Sequence, residues 1–154
     1  MRRRRQRGLT LVELIVAFTI LMLLSAMAVP LARYKVSRDK ERDLLRALDA
    51  MHTAIDKFKD DMDSGKIGPA KLDSDNYPET LQQLVDGVKA MGSVDKKIKY
   101  LRRIPKDPMT NSYDWGLRST RDDPKAQAWG GQNVFDVYTK SMNKARDGTP
   151  YSEW

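Results

Sequence analysis

One carboxylate in this chain stands where carboxylates rarely stand. Glu13 lies inside an otherwise apolar stretch, residues 9–32 (LTLVELIVAFTILMLLSAMAVPLA), whose other polar side chains are hydroxyls. A charge placed at the centre of a hydrocarbon layer costs on the order of 3 kcal/mol on insertion scales. Such a residue therefore calls for a partner of opposite sign and usually marks a function. Little else in the chain offers reactive chemistry. There is a single histidine, His52, and no cysteine. One imidazole cannot support a His-rich metal centre, and no Ser/His/Asp or Cys/His constellation can be assembled around it. The chain is not expected to be an enzyme. Without a disulfide, a small exported domain needs another staple, and a bound metal or packing between subunits is the candidate.

The elements that would position Glu13 follow from the hydropathy pattern. The 24 apolar residues span about 36 Å at the helical rise, enough to cross a hydrocarbon core of about 30 Å. Arg2, Arg3, Arg4, Arg5 and Arg7 precede them and hold that end in the cytoplasm. From Leu44 the pattern changes. Leu44, Leu48, Met51, Ile55, Phe58 and Met62 recur at intervals of four and three, an apolar stripe along one face, with Arg46, Asp49, Lys57 and Asp60 elsewhere. One helix is predicted from about Leu9 to about Asp61, all apolar at first and amphipathic later. Pro30 should kink it, because proline removes a hydrogen bond and crowds the preceding turn.

Ser64-Gly65-Lys66-Ile67-Gly68-Pro69 ends that helix. A short second helix is predicted over Pro78–Val88, and strands over 112–118 (SYDWGLR) and 133–139 (NVFDVYT). The amphipathic half of the long helix must pack on something, and a small antiparallel sheet is the candidate. The fold class is α+β. Three segments result: a leader over 1–8, a membrane or filament-core segment over 9–32, and a soluble domain over 33–154.

The charge balance supports this division. The formal net charge is +7, from 28 basic and 21 acidic side chains. Five of the basic ones precede Gly8, so removing the leader leaves 23 against 21, a net of +2. The excess belongs to a targeting segment, and no nucleic-acid partner is expected. Other tempting residues have plain readings. His52 sits one position off the apolar stripe, as an exposed or interfacial helix residue. Trp115, Trp129 and Trp154 read as packing residues. Asp60-Asp61-Met62-Asp63 reads as a solvated helix end. Arg102-Arg103 could meet a phosphate or, as readily, acids of a neighbouring subunit.

The run Arg7-Gly8-Leu9-Thr10-Leu11-Val12-Glu13 resembles the processing signature of type IV pilins and type II secretion pseudopilins. Pro30, residue 22 counted from Leu9, matches a helix-kinking proline common in that family. The resemblance implies the type IV pilin-like fold, a long N-terminal helix packed on a small antiparallel sheet. It implies that a prepilin peptidase cuts between Gly8 and Leu9 on the cytoplasmic face and N-methylates Leu9. Cleavage would create an α-amine at membrane depth, and Glu13 of one subunit would neutralise the amine of its neighbour. That pairing would set the axial register and make assembly depend on processing.

The resemblance continues through Tyr77-Pro78-Glu79-Thr80-Leu81, Tyr100–Pro108 (YLRRIPKDP), Val134–Tyr138 (VFDVY) and Asp147–Trp154 (DGTPYSEW). There the chain is similar to the major pseudopilins, the G subunits, of type II secretion. This implies a homopolymer in the periplasm that drives export of folded proteins across the outer membrane. Minor pseudopilins, an inner-membrane assembly platform and a cytoplasmic ATPase are the implied partners. The subunit would be a single-pass inner-membrane protein, N-terminus in the cytoplasm, until assembled. The family also implies one calcium ion in the C-terminal loop. The corresponding oxygens here are those of Thr139, Ser141, Asn143 and Asp147. This chain departs from the family at that loop: only Asp147 is charged, and Lys140, Lys144 and Arg146 surround it.

Two alternatives remain at the level of sequence. A pilin of a surface pilus, serving adhesion, motility or DNA uptake, shares the N-terminal motif. Ala26-Met27-Ala28 also fits an ordinary signal-peptidase site, which would release a domain beginning at Val29. Against that, Glu13 interrupts the apolar core of such a signal, and Leu9–Leu24 is long for one.

Overall fold

The computed structural model describes residues 10–69, 71–93 and 96–154. Its elements run in the order α1 (Leu11–Asp63), α2 (Leu81–Asp86), β1 (Val88–Lys89), β2 (Lys97–Ile98), β3 (Gly116–Arg118), β4 (Asp136–Tyr138) and a closing 3-10 turn, η1 (Tyr151–Glu153). The fold is α+β and pilin-like: one long N-terminal helix followed by small antiparallel sheets. The contacts divide the chain into two units, Met1–Asp39 and Lys40–Trp154.

In the first unit the described residues are almost entirely helix. The large apolar side chains Leu11, Leu14, Ile15, Phe18, Leu21, Leu24 and Met27 are all exposed. A helix apolar all round has no single face to bury, and among the described residues of its own unit nothing covers it.

The second unit has a core. Leu44, Leu48, Met51, Ile55 and Phe58 are buried along the predicted stripe of α1, and Met62 packs against them partly buried. Their partners are Ile67, Leu81, Leu84, Trp115, Val134, Val137 and Tyr151. Each such side chain contributes about 1.5–3 kcal/mol when fully withdrawn from water. Phe58 meets Tyr100 edge-on, with ring centroids 5.4 Å apart. Trp115 donates its indole N–H to the carbonyl of Pro105 at 2.9 Å, so its one polar atom is satisfied inside the core.

Helix α2 is short and capped at both ends. The Thr80 hydroxyl accepts from the Gln83 amide, and the Gln83 side chain reaches back to the Glu79 amide. At the other end the amides of Tyr100 and Leu101 both donate to the Leu84 carbonyl. Gly87 follows at φ 79°, and a Cβ there would press against the backbone of Ile98.

The expected sheet is two separate antiparallel pairs. β1 pairs with β2, placing Val88 opposite Ile98. β3 pairs with β4, placing Gly116 opposite Tyr138, Leu117 opposite Val137 and Arg118 opposite Asp136. Both predicted strands form in part, over 116–118 and 136–138. Gly116 has a packing reason: a Cβ there would enter the Tyr138 ring.

Candidate functional site: the helix start and the C-terminal loop

Gly8 and Leu9 lie outside the described residues. Thr10 and Glu13 are described, and together they begin α1. The Thr10 hydroxyl accepts from the Glu13 amide at 3.3 Å, and the Thr10 carbonyl accepts from the Leu14 amide at 3.2 Å. Thr10 thus does what a capping residue does, satisfying one of the amide donors that a helix start leaves bare. Glu13 sits in the first turn, where the helix dipole favours negative charge. Its side chain is exposed, and the apolar helix that follows is exposed on every face. Pro30 falls within α1, which continues through it. Among the described residues α1 is the one helix long and apolar enough to cross a membrane by length and composition. Its start therefore combines a carboxylate with a cylinder of apolar side chains exposed among the described residues.

The C-terminal loop is built differently. Thr139 directly follows β4 and is fully buried, donating its hydroxyl to Asp107 at 2.6 Å. The same hydroxyl oxygen accepts from the Ser141 amide, and the Ser141 hydroxyl accepts from the Asn143 amide. Asn143 and Asp147 are exposed. Asp147 accepts from the Thr149 amide, which holds its carboxyl below the usual range, in a turn completed by Gly148 at φ 88°. The first three residues form one ladder of local hydrogen bonds, while Asp147 belongs to a separate turn.

These four residues do not fit a calcium ion. Calcium takes six to eight oxygens, several of them carboxylate. Here the two hydroxyls already accept backbone amides. The single carboxylate is that of Asp147, and Lys140, Lys144 and Arg146 lie between it and Thr139. Among the described residues, no group of three or more His, Cys, Asp or Glu side chains is placed to hold a metal.

A third cluster ties α1 to the β3–β4 pair within the second unit. His52 Nε2 lies 2.9 Å from Asp136 Oδ1, and Arg118 donates to the other oxygen of Asp136 at 2.8 Å. Arg118 is buried, donates also to the carbonyls of Ala126 and Ser152, and stacks 3.9 Å from the Tyr138 ring centroid. The hydrogen bond to Asp136 raises the His52 pKa above 6.5 against the opposing effect of burial. Burial works against ionised Asp136, but the bonds from His52 and Arg118 outweigh it and hold the carboxyl below its ordinary value. His52 is thus the interfacial residue its helix position suggested. Nothing in the sequence pointed to its partner, 84 residues away.

Comparison with known proteins agrees with the placement of the motif. Residues 3–29 match the family described as "Prokaryotic N-terminal methylation motif". The chain is 28% identical to the type II secretion system core protein G of Pseudomonas aeruginosa over 97% of its own length and 92% of that protein's. It is 33% identical to the core protein G of Klebsiella pneumoniae, covering 71% of this chain and 73% of that one. It is 31% identical to that of Escherichia coli K12, covering 71% and 70%. No solved structure gives a significant match.

Proposed function

The chain belongs to the type II secretion system core protein G family, and on that premise we propose that it is the major pseudopilin, a structural subunit polymerising into a periplasmic filament that drives folded proteins across the outer membrane. One observation carries this reading. The first half of α1 is apolar on every face, with a single carboxylate in its first turn, and among the described residues of its own unit neither has a partner.

The mechanism runs from these residues. The subunit begins as a single-pass inner-membrane protein with its arginines in the cytoplasm. Prepilin peptidase cuts after Gly8 and N-methylates Leu9. The new amine on Leu9 meets Glu13 of a neighbouring subunit, and each offsets the desolvation of the other. The apolar helices then leave lipid for one another, where small residues such as Ala17, Ser25 and Ala26 permit close approach. An assembly platform and a cytoplasmic ATPase supply the work of extraction, and minor pseudopilins begin the filament.

The test is the N-terminus and intact mass of the protein made with and without prepilin peptidase. The expected product begins at methylated Leu9 only when the peptidase is present. A product beginning at Val29 would mean an exported domain and end the filament reading. Glu13→Ala is expected to be processed and folded but to yield no filaments by electron microscopy. Filaments of normal length from that variant would remove Glu13 from assembly.

A further inference from the structure

We propose that the C-terminal loop of this chain closes without a metal ion, held instead by the buried carboxylate of Asp107. The family's loop is expected to hold calcium, and the donor set here does not fit it. Something else must hold residues 139–151 against the domain.

Asp107 is fully buried. One of its carboxylate oxygens accepts from the Met109 amide at 2.8 Å. The other accepts from the Thr110 hydroxyl at 2.9 Å and from the Thr139 hydroxyl at 2.6 Å. Its backbone closes the same turn, since its amide donates to the Ser112 carbonyl and its carbonyl accepts from the Asn111 amide. A buried carboxylate is costly unless its lone pairs are engaged, and three donors from the protein engage both of its oxygens. The Thr139 bond is the one that reaches across 32 residues, to the residue just past β4.

From Thr139 the restraint passes along the loop. Ser141 and Asn143 extend it through the hydroxyl-to-amide ladder. The Asn143 carbonyl then accepts from the Tyr151 amide at 3.2 Å, and Lys144 forms a bridge with Pro150. Tyr151 is buried, and its hydroxyl donates to Glu41 on α1 at 2.8 Å. The loop is therefore fastened at one end to Asp107 and at the other to the long helix.

The surroundings oppose a cation directly. Arg118, Lys125, Lys140 and Lys144 line the cleft beside the loop. A divalent ion would have to displace hydrogen bonds already made, in a cleft whose lining carries these four bases and one acid, Glu153. Nothing in this inference depends on which filament the subunit builds.

The test uses the full chain in detergent. Its thermal unfolding is followed in calcium chloride and in EDTA, with a calorimetric titration of calcium chloride. Equal midpoints, within about 1 °C, and no heat of binding are expected. A saturable rise of several degrees in calcium would overturn the proposal. Thr139→Val keeps the side-chain volume but removes the donor to Asp107. It should lower the midpoint by about 4 °C or more, equally in calcium and EDTA. Asp107→Asn replaces an acceptor oxygen with a donor and should do the same or worse. Should Asp107→Asn fail to fold, Thr139→Val alone decides. An unchanged midpoint in Thr139→Val would remove Asp107 as the fastening. Recovery of that variant by calcium would restore the ion to the loop.

Discussion

Leu21 and Leu48 belong to the same helix, yet Leu21 is 59% exposed and Leu48 is 3% exposed. The difference lies in their neighbours. Around Leu21 every helix face is apolar, so cover on one face would leave the others bare. Around Leu48 the apolar residues form a stripe, narrow enough for α2, β4 and η1 to cover. The first pattern places its stabilisation in the membrane or in other subunits, and the second places it within the domain. One helix thus carries two kinds of information, one for assembly and one for folding.

The strongest way to break this comparison is to cut the same kind of contact from each half. Phe58→Ala should destabilise the Lys40–Trp154 unit by about 3–5 kcal/mol, the cost of a large cavity in a packed core. Leu21→Ala should leave that unit unchanged within about 0.5 kcal/mol. Denaturant unfolding of the full chain in detergent, read by tryptophan fluorescence, measures both, because Trp115, Trp129 and Trp154 all lie in that unit. A similar loss from both substitutions would mean the halves are not separable.

A second substitution sharpens the folding half. Gly116→Ala should cost about 1–3 kcal/mol, since its Cβ would enter the Tyr138 ring, and Tyr138 is backed by the stacked Arg118. The same denaturation experiment reads it. A neutral result would show that the β3–β4 pair can shift without loss.

The two halves also differ in how openly the sequence displays them. The apolar run, Glu13 and the 44–58 stripe are repeating or contiguous patterns, and the structure places them as their periodicity requires. Helix α2 appears at 81–86, shorter than the predicted 78–88, because Thr80 caps it and Gly87 ends it. The β1–β2 pair was not foreseen, since two-residue strands leave no period to read. The closing 3-10 turn at 151–153 is likewise too short to leave a period. Asp107 hid in a proline-flanked segment that reads as a turn, and its role appears only when Thr139 is brought beside it. Thr10 hid for the opposite reason. Thr10-x-x-Glu13 has capping-box spacing, but the same Glu13 also reads as a charge in an apolar segment, and the two signals overlap.

The smallest expected effect concerns His52 and Asp136. Both are about one-third exposed, so their pairing is worth about 0.5–1 kcal/mol after solvent screening. The raised His52 pKa means its contribution is complete below 6.5 and is lost as pH rises through the raised value. The lowered Asp136 pKa means its contribution is present above 3.8 and is lost as pH falls through the lowered value. The pair is therefore most stabilising between those limits. His52→Ala should lower the thermal midpoint more at about pH 5.5 than at about pH 8.5. An equal loss at both would assign His52 a packing role only.

The bond from Tyr151 to Glu41 spans 110 residues. Val134 and Val137 likewise reach the stripe of α1 from nearly as far along the chain. Helical turns form in about a microsecond from local contacts, but pairings this distant are slow and come late. The stripe is therefore closed in stages along the chain. On the proposed export route the amphipathic half of α1 crosses first, Ile67, Leu81 and Leu84 cover part of its stripe next, and Val134, Val137 and Tyr151 complete the cover only at the end. A chain halted before Val134 would present a partly open apolar stripe, and it is this unfinished species that a chaperone or protease on the far side would meet.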